Sequence, residues 1–223
     1  MKKRVLMVVT SADRLANGDA TGLWLEEFAV PYRIFQQAGF DISVVNPMGG
    51  ETPIDPRSGD ELHAHPEWSE AARLLRDLPP LDANIDPHHF DAIFLAGGHG
   101  TVVDLPNNPR LITLLTVMDR HHKIISAVCH GPVGFVGPTK EDGTPLVAGR
   151  TLTAFSDEEE RAVGLDQAVP FLLESKLREL GAKVVVGDKF TEHVIRDGHW
   201  ITGQNPPSSA KTAQTVVDAL LNG

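Results

Sequence analysis

Continuous apolar runs alternate with helical patterns along most of the chain. Residues 5–9, 42–45, 92–95 and 124–128 are apolar and rich in β-branched side chains, the pattern of parallel strands buried on both faces. Residues 22–38 and 108–121 between them carry apolar positions at helical spacing, as with Leu111, Leu114, Leu115 and Met118. After residue 149 the alternation continues. Residues 151–155 predict a strand, 169–180 a helix closed by Gly181, and 183–186 a strand. Asp197 and Gly198 between two short apolar pairs predict a hairpin, and residues 206–221 a closing helix. Together these elements predict an α/β fold, a mostly parallel sheet with helices on both faces, in one domain over residues 1–223.

Residues 49–87 break the alternation. They are rich in Gly, Pro, Asp and His, with one helical stretch at 68–78, and read as an insertion over one end of the sheet that shapes a site.

One acid stands out on the first helical pattern. At 100° per residue, Trp24, Phe28, Pro31, Phe35 and Ala38 share a face, and Glu27 lies on it. Glu26 lies opposite with Arg33 and Gln37 and reads as an ordinary solvated carboxylate. Glu27 is aimed at the core or at a pocket, as a structural acid or as a proton carrier. Pro31 predicts a kink or an irregular helix entry, because its ring clashes with the carbonyl of Glu27.

Composition narrows the partners. The net charge of −10 opposes binding to nucleic acid or to an anionic membrane, and the chain has no Lys/Arg-rich run. No stretch is long and apolar enough to span a bilayer, and the apolar run after the basic N-terminus is too short for a secretory leader. A single cysteine permits no internal disulfide, which suits a reducing, cytoplasmic compartment.

That cysteine sits in the most informative stretch. The strand at 124–128 runs directly into Cys129, His130, Gly131 and Pro132: strand, nucleophile, tight turn, helix entry. A lone cysteine is often a small buried hydrophobe, but a packing residue needs no such elbow. The helix start behind it predicts a thiol shifted toward thiolate. His130 offers either its backbone N–H to an oxyanion or its ring as a proton shuttle; neighbours in sequence rarely face each other, which leaves the direction of the ring open. A second loop, Gly97, Gly98, His99 and Gly100, follows the strand at 92–95. It lacks a dinucleotide fingerprint and a Walker lysine, which leaves an oxyanion and substrate-binding loop of Gly98, His99 and Gly100, led by the N–H of Gly98. No zinc pattern is recognisable, and His63, His65, His88, His89, His121 and His122 read as surface residues.

The Cys129 elbow, the Gly97 to Gly100 loop and Glu27 in an early helix resemble the ThiJ/PfpI superfamily. The closer resemblance is to its heat-shock chaperone and glyoxalase III branch, carried also by Thr21 and Gly22, by Asp104 to Pro106, and by Thr202 to Pro206. The resemblance implies a flavodoxin-like three-layer sandwich and a homodimer. It implies Cys129 as nucleophile, Glu27 as its acid partner and His130 as the next member. The acid that completes a triad in this branch falls in the run Ser156, Asp157, Glu158, Glu159, Glu160, where Glu160 fits best and Asp157 second. The metal ligands of some relatives are not recognisable.

The expected function is a glutathione-independent glyoxalase that needs no cofactor or metal. It would convert a small 2-oxoaldehyde, methylglyoxal or glyoxal, to lactate or glycolate through a Cys129 hemithioacetal, with deglycase activity on glycated protein as a related outcome. A holdase chaperone for unfolded protein, a cysteine hydrolase and a thiol redox sensor are the alternatives.

Overall fold

A computed structural model describes residues 2–59 and 61–222. β1 (Arg4–Val8), α1 (Leu25–Gln37) and β2 (Asp41–Val45) come first, followed by the short helices α2 (Pro56–Gly59), α3 (Glu61–Ala64) and α4 (Ser69–Leu74). β3 (Ala92–Leu95), α5 (Thr101–Asp104), α6 (Pro109–Arg120) and β4 (Ile124–Val128) build the centre. β5 (Thr151–Leu152), α7 (Asp157–Ala162), α8 (Leu173–Glu179), β6 (Lys183–Val184), β7 (Val194–Asp197), β8 (Trp200–Gly203) and α9 (Ser209–Asn222) complete the chain.

The main sheet has the order β2-β1-β3-β4-β8-β7, parallel throughout except for the predicted hairpin of β7 with β8. Alternate residues of β1 point to opposite faces. Val5 and Met7 pack with Phe28 and Phe35 of α1 and Val216 of α9, whereas Leu6 and Val8 pack with Leu111, Leu114 and Leu115 of α6. Both faces are thus buried, which is why the strands read as unbroken apolar runs. α6 begins where Asn108 accepts hydrogen bonds from the amides of Arg110 and Leu111, with Pro109 in its first turn.

Several predicted elements are shorter than their patterns; the helical stretch expected at 68–78 is α4, which ends at Leu74. The strand at 151–155 pairs with β6 only at Thr151 and Leu152, in a separate two-stranded sheet. The amide of Thr153 then donates to Thr202 Oγ1 and that of Phe155 to the carbonyl of Cys129, so this backbone ties the functional end of the fold together. Pro170 disfavours helix in the residue before it, and α8 starts only at Leu173. The strand expected at 183–186 ends at Val184; Val185 and Val186 run on exposed.

The helix predicted from residue 22 begins at Leu25 and runs through Pro31. Residues 21–24 are held extended between the insertion and the glycine loop: Leu23 N–H donates to the Pro53 carbonyl and Leu25 N–H to Ser58 Oγ. The insertion therefore grips the entry of the helix that carries Glu27. Among the described residues, no helix is long and apolar enough to cross a membrane.

Candidate active site

β4 delivers Cys129 to the carboxyl edge of the sheet. Its φ of 58° lies in the left-handed region, uncommon for a residue with a side chain and a recurrent feature of strained functional turns. The turn is fixed from both sides, by its own amide donating to Gly203 and its carbonyl accepting from Phe155. Gly131 is required next, because a Cβ there would overlap the Leu95 carbonyl. Five residues of 3-10 helix (Gly131–Phe135) follow, too short for a strong dipole.

Glu27 is wholly buried and meets Cys129, as its helical face predicted. Its Oε2 lies so close to Gly97 that a Cβ at 97 would overlap it. Glu26, by contrast with its expected solvation, is half-buried, and burial raises its carboxyl pKa. The thiol does not follow the lowering expected from the elbow. Burial, then the charge of Glu27 and a hydrogen bond with it, push Cys129 well above the ordinary thiol range, and the Gly98 N–H opposes them only in part. Thiol and carboxyl form one coupled pair that keeps a proton at neutral pH.

The ring of His130, whose direction the sequence left open, turns toward the sulfur. Nδ1 lies 3.4 Å from Cys129 Sγ, and Nε2 lies 2.7 Å from Glu160 Oε2. Burial alone would raise the Glu160 carboxyl; the charge and hydrogen bond of His130, joined by His99, reverse this and hold it far below its usual value. An ionised carboxylate only accepts, so Nε2 carries a proton toward Glu160, and Nδ1 is the nitrogen that faces the sulfur.

Glu160 binds a second ring. His99 Nε2 donates to Oε1 at 2.7 Å, and the two histidines stand 4.0 Å apart, centroid to centroid. Burial, then the charge of His130, hold His99 down to about 4, so it is neutral. Its Nδ1 lies 3.5 Å from Arg57 Nη2, and Arg57 is clamped by Asp55 at 2.6 and 2.9 Å. Asp55 in turn accepts from Thr21 Oγ1.

The glycine loop therefore divides in a way the sequence did not show. Gly98, at φ 97°, keeps its N–H on the sulfur. The Gly100 N–H is not available to an oxyanion, because it donates to the Gly22 carbonyl at 3.1 Å. His99 contributes a ring to the acid. Arg57 and Asp55 were missed altogether; nothing local marks them within the insertion.

The acidic run after Phe155 also sorts itself. Asp157 accepts from Ser175 and cannot serve His130, so the second candidate falls; Glu158 is exposed and pairs with Lys189. Glu159 is buried, closes a capping box with Ser156, and accepts from Asn205 and the amide of Phe190. Only Glu160 faces the histidines.

His99, His130 and Glu160 could together present ligand atoms to a cation, the Nε2 protons then giving way to the metal. Above the sulfur opens a cavity of about 250 Å³ lined by Trp24, Arg57, His99, Phe155, Val163, Phe190 and Pro206.

Comparison with known proteins places this geometry. The profile of the DJ-1/PfpI family matches residues 20–219. The glutathione-independent glyoxalase HSP31 of Saccharomyces cerevisiae is 30% identical over 237 residues, covering 99% of each chain. Glyoxalase III of Candida albicans superposes with a TM-score of 0.83 at 26% identity, over 97% of each chain. The Rapid Encystment Protein of Francisella tularensis superposes with a TM-score of 0.90 at 35% identity, over 99% of this chain and all of that one.

Proposed function

The chain belongs to the DJ-1/PfpI family, and from that premise we propose that it is a glutathione-independent glyoxalase converting a 2-oxoaldehyde to a 2-hydroxy acid. One observation carries the reading: a buried carboxylate, Glu27, and an imidazole base, His130, meet the same sulfur. Attack on a carbonyl needs only the imidazole. A carboxylate beside the sulfur is what moving a proton between adjacent carbons requires.

Cys129 Sγ adds to the aldehyde carbon, its proton passing through Glu27 to the former aldehyde oxygen, which the Gly98 N–H meets as charge develops. The product is a hemithioacetal. Glu27 then takes the hydrogen on that carbon as a proton and returns it to the neighbouring ketone carbon through an enediol. The aldehyde carbon is oxidised to a thioester as the ketone carbon is reduced to an alcohol. Water, activated at His130 with Glu160 behind it, cleaves the thioester and restores the thiol. Electrons and atoms balance within substrate and water.

The decisive assay is lactate formation from methylglyoxal without glutathione. Wild type turns over; Cys129→Ala and Glu27→Gln do not. A reduced, folded wild type that makes no lactate ends the reading. A cysteine hydrolase is the second reading, favoured by the contact of His130 with both Sγ and Glu160. It requires that Glu27→Gln still cleave an activated thioester or ester that Cys129→Ala does not. Our reading extends to a single cytoplasmic domain acting as a homodimer, with glycated protein as a further substrate; sizing by light scattering tests the dimer.

A further inference from the structure

The polar groups around the sulfur occupy one side of it: Glu27, the Gly98 N–H and His130. The cavity beyond is walled by carbon, from Trp24, Phe155, Val163, Phe190, Pro206 and Pro207. Its one charged group, Arg57, already spends its guanidinium on Asp55 and His99. Phe155 is packed in place at this wall: it is buried, its amide is bonded to the Cys129 carbonyl, and its ring lies 4.6 Å from that of His130.

Phe190 supplies an independent sign. Its φ of 54° is a strained conformation for an L side chain, it is 45% exposed, and its amide is pinned to the buried Glu159 at 2.8 Å. Strain of this kind persists where the surroundings hold it, and functional sites are where it collects. Here it holds an aromatic ring at the mouth of the cavity, tilted against that of Phe155 at 6.4 Å between centroids and open to solvent on its other side.

The cavity of about 250 Å³ has room for several waters. Methylglyoxal would leave much of it to water against walls that offer few hydrogen-bonding partners. A ring-sized apolar substituent on the ketone carbon would fill it and remove those walls from water. We propose that this site selects 2-oxoaldehydes bearing a large apolar or aromatic substituent, the walls of Phe155, Val163 and Phe190 reading that substituent while the sulfur takes the aldehyde. The inference rests on the glyoxalase reading and names its substrate class.

The test compares mandelate formation from phenylglyoxal with lactate formation from methylglyoxal, both without glutathione. The product is read because phenylglyoxal also consumes arginine side chains. Wild type is expected to favour phenylglyoxal by about tenfold or more in kcat/KM, the scale of discrimination an apolar pocket gives. Phe190→Asn keeps a residue that tolerates the left-handed conformation and removes the apolar wall. It is expected to draw the ratio of the two kcat/KM values several-fold toward one. Lactate formed as fast as mandelate, or a ratio unmoved in Phe190→Asn, overturns the substrate class and leaves the glyoxalase standing. Absence of both products from folded wild type is the failure of the activity itself.

Discussion

Two carboxylates at opposite ends of the sheet are built almost alike. Glu160, at the carboxyl end, accepts from His130 and His99 at 2.7 Å each. Asp119, at the amino end, accepts from His199 at 2.7 Å, Trp200 Nε1 at 2.8 Å and Arg150 at 2.9 Å, all on one oxygen. In both, burial would raise the carboxyl, and the donors reverse it and hold it below its usual value. The difference lies in what stands behind the histidine. The other nitrogen of His130 faces a sulfur on a strained elbow; His199 packs edge-on to the ring of His122. An acid and a histidine therefore make chemistry only where the fold supplies a reacting atom next in line. The same pair elsewhere ties α6 to β8.

Substitution at each end separates these roles. Glu160→Gln leaves the shape intact but no longer fixes the His130 proton on Nε2, so Nδ1 is not reliably a base. Glyoxalase kcat is expected to fall about 100- to 10,000-fold, the range of an orienting acid and its base. An activity within a few-fold of wild type would detach His130 from the chemistry. Asp119→Asn, at the opposite end of the sheet from the sulfur, is expected to leave kcat unchanged and to lower unfolding stability by about 1–3 kcal/mol, the scale of charged hydrogen bonds lost in a partly buried setting. Urea titration reads the second effect. Its pH dependence has a definite sign. A carboxyl held below its usual value stabilises the native state above the unfolded pKa, near 3.8. That contribution is lost as pH falls through the depressed native value. The variant should therefore be less sensitive to acid below pH 3.8 than wild type.

How far each end could be read from sequence follows from the range of the interactions. Cys129 was legible because its elbow is local, a strand flowing into Cys, His, Gly and Pro. Glu27 was legible because helical periodicity alone puts it on the buried face. Glu160 needed the family resemblance, although the Ser156 and Glu159 capping box carries a local signal that fixes where α7 starts. The ring of His130 could not be placed, because its direction depends on the left-handed φ of Cys129. The roles of Gly98 and Gly100 were read alike for a similar reason: which amide points at the sulfur and which at Gly22 is a matter of backbone dihedrals. Arg57 and Asp55 reach the site only through tertiary folding of the insertion. The two-residue strands β5 and β6 have no period to detect.

A half-buried carboxylate away from both clusters sharpens the contrast between the two ends. Asp104 accepts from Thr10 Oγ1 and the Ser11 amide but has no cation beside it, and burial raises it to about 6. An acid raised on folding binds its proton more tightly in the native state. Stability then declines as pH rises from about 4 to about 6. His99, held down to about 4, acts in the opposite sense, because the unfolded chain takes up a proton below 6.5 that the native ring refuses; stability declines as pH falls across the same interval. Each shift is worth up to about 3 kcal/mol at about 1.36 kcal/mol per pH unit, and the two act in opposite directions. Asp104→Asn removes one side of this opposition, and its unfolding free energy in urea should climb more steeply from pH 4 to pH 6.5 than that of wild type. A variant that tracks wild type across that interval would mean that folding leaves the Asp104 carboxyl where it stands in the unfolded chain, and that an acid buried at this end of the sheet without a cation is held no differently from a solvated one.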